Sequence, residues 1–149
     1  MKATVIGACI SDRKGVRKTL VEEVRIVEDF GVEGDAHAGC RERQVSLLAE
    51  ESVAEVLGDD QFAGPGAFGE NLRTRGIDLT GLAIGATLRI GDVRLEVTRI
   101  GKQSPDGEPL YDPLGMRIGP TKAVFCRATR GGTVRSGDPI ERVGSSTIE

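Results

Sequence analysis

The clearest pattern in the chain lies near its middle. In "ATLRIGDVRLEVTRI", Leu88 and Ile90, then Val93, Leu95 and Val97, alternate with Arg, Glu and Thr. A period of two marks half-buried strands. Gly91-Asp92 separates the two runs, and a two-residue loop with Gly first predicts a type II′ hairpin. "TVIGACI" near the N-terminus reads as another strand, and so does "RQVSLL". "TLVEEVRIVEDFGVEGD" carries Leu20, Val24, Ile26 and Phe30 among charges. Its period breaks at Val21-Glu22-Glu23-Val24, which predicts one strand with a bulge. In "AEESVAEVL", Ala49, Val53, Val56 and Leu57 share one face at helical spacing. Glu50 and Glu51 suit the first turn of that helix and Gly58 its stop. A second Gly-Asp, Gly137-Asp138, precedes "PIERV", a last strand opening at Pro139. "TKAVFCRATRGG" is a short apolar segment that periodicity assigns to neither helix nor strand. Six or more short strands with one or two short helices predict a mainly β (α+β) chain, closed or nearly closed into a β-barrel.

Length and composition keep this picture and narrow the function. The 149 residues suit one domain, 1–149, with its own core. Hydrophobic residues make up 38% and glycines number 21, as in a globular chain with many turns. A net charge of -3 argues against a general nucleic-acid partner, while leaving room for a local basic pocket. No stretch approaches the roughly 18 apolar residues of a membrane span. The N-terminal apolar run meets Asp12 and Arg13 too soon for a signal peptide. Cys9, Cys40 and Cys126 form no C-x-x-C pair, which fits reduced thiols in a cytoplasmic protein.

Two stretches can carry chemistry. "GVEGDAHAGCRERQVSL" holds Asp35, the sole histidine His37, Cys40, Arg41 and Arg43. Four readings compete for it. A metal site on Asp35, His37 and Cys40 lacks the ligand number of a protein zinc site. A Cys–His nucleophile pair would need a contact that three residues of separation do not establish. An anion site is better supplied, with forked donors on Arg41 and Arg43 and backbone amides freed by Gly34 and Gly39. Tight turns with solvated charges explain the same residues equally well. In "GPGAFGENLRTRGIDL", Glu70 offers a base and Asn71 an amide that donates and accepts, beside Arg73 and Arg75. The bland alternative is a strand start whose Glu and Asn bond local backbone. No Walker loop, dinucleotide fingerprint or H-E-x-x-H helix is present.

Taken in order, "GVEGDAHAG" with "RQVSLLAEES", "FGENLRTRGIDLTGLAIGATLRIGD" with "LEVTRIGK", and "GGTVRSGD" resemble the MOSC family, the molybdenum-cofactor sulfurase C-terminal domain. The resemblance spans about Gly31 to Asp138. It implies a MOSC-type β-barrel and a pocket for the molybdenum cofactor (molybdopterin), an anion suited to basic and glycine-rich loops. It also implies reductive or sulfur-handling chemistry at a cysteine just after "IGK". Here the run is Ile100-Gly101-Lys102-Gln103-Ser104, so a serine stands where the family has its thiol. A hydroxyl is a hard ligand and carries no sulfane sulfur. Two functions beside cofactor binding therefore stay open. One is a cofactor-independent enzyme, for example a C–S lyase, with Lys102, His37 or Glu70 as acid–base groups. The other is a non-catalytic barrel for a small anionic or sulfur-bearing molecule. Pyridoxal phosphate is not expected. The expected pocket comprises Lys102, His37, Glu70 and Ser104 as reacting groups and Asp35, Arg41, Arg43, Asn71 and Arg127 as binding groups, with no protein ligand to a metal.

Overall fold

The computed structural model describes residues 3–13, 17–39, 44–57, 64–101 and 123–143. Seven strands close into a barrel in the order β11 (Pro139–Val143), β7 (Thr87–Ile90), β8 (Val93–Ile100), β9 (Val124–Arg130), β5 (Val45–Ala49), β6 (Leu72–Arg75) and β1 (Ala3–Ile10). The last pairs back with the first through Ala3↔Ile140 and Thr4↔Pro139. β2 (Thr19–Val21) adds to the free part of β1. A second sheet joins β10 (Gly132–Arg135), β3 (Glu23–Val27) and β4 (Gly31–Val32). Among the described residues there is one α-helix, α1 (Glu50–Leu57), and a 3-10 turn at Leu79–Gly81. This is the mainly β barrel that the alternation predicts.

The alternation works because one face of each strand enters the core. Leu88 and Ile90 of β7 and Val93, Leu95 and Val97 of β8 are buried, whereas Arg89 is exposed and Arg94 and Glu96 are partly exposed. Ile90 pairs with Val93 across Gly91-Asp92. Gly91 has a φ of 59° and Asp92 does not share the positive sign, as a type II′ turn requires. Within "TKAVFCRATRGG", Val124–Arg130 form β9, between β8 and β5.

Two expectations are corrected. The period break at Glu22 is not a bulge within one strand. It is the step between β2, which pairs with β1, and β3, which pairs with β4 and β10 in the other sheet. A true bulge sits in β1 instead: Val5 opposes Thr74 and Gly7 opposes Arg73, leaving Ile6 unmatched against β6. Ala49 ends β5 rather than opening the helix. Ala49 and Val53 of the expected face are buried; the side chains of Val56 and Leu57, and Gly58, lie outside the described residues. β5 and β6 are parallel, and α1 lies in the connection between them, as parallel neighbours require a crossover.

Candidate functional site

The turn after β4 holds the densest polar contacts that the sequence singles out. Gly34 and Gly39 have φ of 85° and 86°, so the chain between them folds tightly. Asp35 N–H donates to the Val32 carbonyl, Ala38 N–H to the Asp35 carbonyl and Gly39 N–H to the Phe30 carbonyl. The turn is tied to the end of β1, where Ala36 N–H donates to the Ser11 carbonyl at 2.7 Å. This geometry turns the Asp35 carboxylate inward. Its Oδ1 accepts from Ser11 N–H at 3.0 Å and from Lys18 Nζ at 2.9 Å, and its Oδ2 accepts from His37 N–H at 3.1 Å. Lys18 and Asp35 side chains are 1% and 0% exposed. Burial alone would raise the Asp35 carboxyl; the His37 ring when protonated and the Lys18 ammonium, with the Ser11 and His37 amides, reverse that and hold it well below the usual carboxylate range.

His37 completes the cluster. Its Nδ1 lies 3.4 Å from Lys18 Nζ and 3.8 Å from Asp35 Oδ2, and its side chain is 16% exposed. The ring thus bridges a buried ion pair and the surface. Among the described residues, no other side chain or backbone group bonds to it. Lys18 is the member that sequence reasoning missed. It stands just before β2, 17 residues upstream of Asp35.

Glu70 and Asn71 are close to this cluster in the fold but face the framework. Glu70 is 3% exposed. Its carboxylate accepts from the amides of Gly66 (3.0 Å) and Phe68 (3.1 Å) and from Arg73 Nε (2.7 Å). Arg73 is fully buried and also bonds Glu50 and the Gly64 carbonyl. Asn71 Oδ1 accepts from Ser46 N–H and Oγ, while its Nδ2 donates to the Cys9 carbonyl, so it ties β5 to β1. The loop reaches the cluster through backbone: Lys18 N–H donates to the Gly66 carbonyl at 2.8 Å. Gly66 has a φ of 88°, and a Cβ there would stand 2.1 Å from the Lys18 carbonyl oxygen.

Arg127 lies elsewhere. It projects from β9 with its side chain 41% exposed and pairs with Asp29 and Glu96. Lys102, Ser104, Arg41 and Arg43 lie outside the described residues, as does Cys40. Cys9 and Cys126 are fully buried. Burial and the nearby Glu70 push the Cys9 thiol up to about 12, against the opposing pull of Arg73 and Lys18. Burial, with Glu96, raises Cys126 as well. Among the described residues no group of three or more His, Cys, Asp or Glu could hold a metal ion. A separate recess of about 310 Å³ between α1 and the segment after β6 is lined by Glu51, Glu55, Asp78 and Thr80, and by none of the expected site residues.

The MOSC domain family matches residues 34–101, which bears out the resemblance carried by the sequence motifs. None of the curated proteins matches the chain. Solved structures share its fold. The YuaD protein from Bacillus subtilis is 21% identical with a TM-score of 0.72, covering 94% of each chain. YiiM from Escherichia coli is 21% identical with a TM-score of 0.64, covering 99% of this chain and 72% of that one. YiiM from Geobacillus stearothermophilus is 19% identical with a TM-score of 0.60, covering 95% and 73%.

Proposed function

We propose that this MOSC-type barrel binds a small anionic ligand at the turn carrying His37, with the imidazole donating an N–H to a ligand oxygen. The observation that supports this reading is the half-open ring itself. One edge of His37 is held by a buried Lys18–Asp35 pair, and the other has no partner among the described residues. A donor fixed in a partly dry site stabilises negative charge far better than one in water, because the surroundings need not reorganise.

The molybdenum cofactor comes first among such ligands through the family match. The described groups are an imidazole and an ammonium that donate and a carboxylate that accepts, and both described thiols are buried. The imidazole N–H suits hydrogen bonding to an oxyanion, and none of these groups is a thiolate ligand for molybdenum. Lyase chemistry gains no acid–base group from Glu70, whose carboxylate is occupied by Arg73 and two amides. Binding and polarisation at His37 are therefore the reading the geometry favours.

The test begins with protein purified from a host that makes the cofactor, analysed for molybdenum, pterin and other extracted acidic molecules. An anion retained by the wild type and lost from His37→Ala supports the site. Equal retention by both proteins, or His37 ring signals unmoved by inorganic phosphate, sulfate and every extracted anion, would sink it.

A further inference from the structure

We propose that Lys18 is a positioning residue that fixes the tautomer of His37, keeping the ring proton on Nε2 at the outer edge. The proposal rests on the reading of His37 as the ligand-facing donor and names what makes it one. Lys18 Nζ is 3.4 Å from His37 Nδ1, nearer than Asp35 Oδ2 at 3.8 Å. An ammonium has three donors and no acceptor, so its partner nitrogen must present a lone pair. Nδ1 is then unprotonated and the proton of the neutral ring sits on Nε2. Asp35 secures the arrangement: its Oδ1 anchors Lys18 at 2.9 Å and its Oδ2 holds the His37 backbone N–H at 3.1 Å, so the cation and the ring share one carboxylate.

This changes what His37 can do. With Nδ1 facing a cation and Nε2 carrying its proton, the neutral ring offers no free lone pair to a substrate. It serves as a hydrogen-bond donor to developing or resident negative charge rather than as a general base. Removing the ammonium lets the ring turn its proton the other way. Nδ1–H can then donate to Asp35 Oδ2, leaving a lone pair on Nε2, which converts the outer edge from donor to acceptor. Lys18 thereby determines that the site prefers an anion.

The sequence makes the experiment clean, because His37 is the only histidine. Protein labelled with 15N-histidine gives one pair of ring nitrogens, recorded without ligand at about pH 8, where an ordinary imidazole is neutral. The expected wild-type spectrum has an unprotonated Nδ1 and a protonated Nε2. In Lys18→Met the population moves predominantly to Nδ1–H. Lys18→Arg, which keeps a cationic donor, retains the wild-type form and remains the comparison if Lys18→Met does not fold. A protonated Nδ1 in the wild type, an unchanged tautomer in folded Lys18→Met, or loss of the Nε2–H form in Lys18→Arg would overturn the assignment. The measurement is made without ligand, so it is separable from the anion-binding reading: correct tautomers with no response to inorganic phosphate, sulfate or extracted anions reject the ligand and leave Lys18's role intact.

Discussion

Lys18 and Asp35 meet at 2.9 Å with almost no exposure, so each is the counter-charge that lets the other stay ionised. Removing one partner strands a buried charge. Lys18→Met or Asp35→Asn alone should each cost about 3–5 kcal/mol of stability, and the double variant less than the sum, read as urea midpoints. The pair also sets an acid limit. The Asp35 carboxyl titrates near 3.8 in an unstructured chain and well below that in the fold. The folded state therefore binds fewer protons there, and the stabilisation is complete above the unfolded value and lost as pH falls through the folded one. Urea midpoints for the wild type and Asp35→Asn should converge as pH drops below 3.8; a gap that stays constant would contradict the assignment. The two described thiols provide a third check at this scale. Cys9 and Cys126 are fully buried and shifted toward the neutral thiol, so their peptides should resist alkylation until denaturant is added. Asp35 and His37 stand out in the sequence as polar residues two apart on a glycine-rich turn, and the His37 amide meets the Asp35 carboxylate there. Lys18 was not, because only the approach of β2 to that turn brings a lysine 17 positions away onto the same carboxylate.

At the scale of elements, the loop before β6 acts as a bracket for β2. Glu70 gathers the Gly66 and Phe68 amides, and the Gly66 carbonyl then receives the Lys18 amide. Gly66→Ala places a methyl against the Lys18 backbone in a conformation that L residues avoid, so it should cost at least about 3 kcal/mol or prevent folding, seen as a loss of the cooperative thermal transition. Glu70→Gln weakens the charge-assisted bond to buried Arg73 and should destabilise the protein by a comparable amount. The G-E-N-L motif stands out in the sequence, but residue type alone does not say whether Glu70 and Asn71 face a ligand or the framework. That depends on Arg73 turning inward and on Ser46 and Cys9 arriving from other strands. The break at Glu22 behaves the same way. The loss of period is local and visible, whereas the change of sheet is decided by β10, about a hundred residues later.

For the whole molecule, alternation foretold a barrel, while strand order did not follow from it. Hairpin neighbours such as β7 and β8 are local, but β9 lies between β8 and β5, and β11 lies between β7 and β1. The closing seam is short: its two register pairs are Ala3↔Ile140 and Thr4↔Pro139, and proline has no amide to donate. Hydrogen exchange should therefore be slowest in Val93–Val97, flanked by β7 and β9, and fastest within the barrel at the Ala3–Thr4 seam. The seam also sets a clock for biosynthesis. Among the barrel strands β1 is made first, yet one of its partners, β11, is made more than 130 residues later. The ring stays an open sheet until Val143 has cleared the exit tunnel, and a nascent chain held at Asp138 should remain protease-sensitive along β1 where the released chain is resistant.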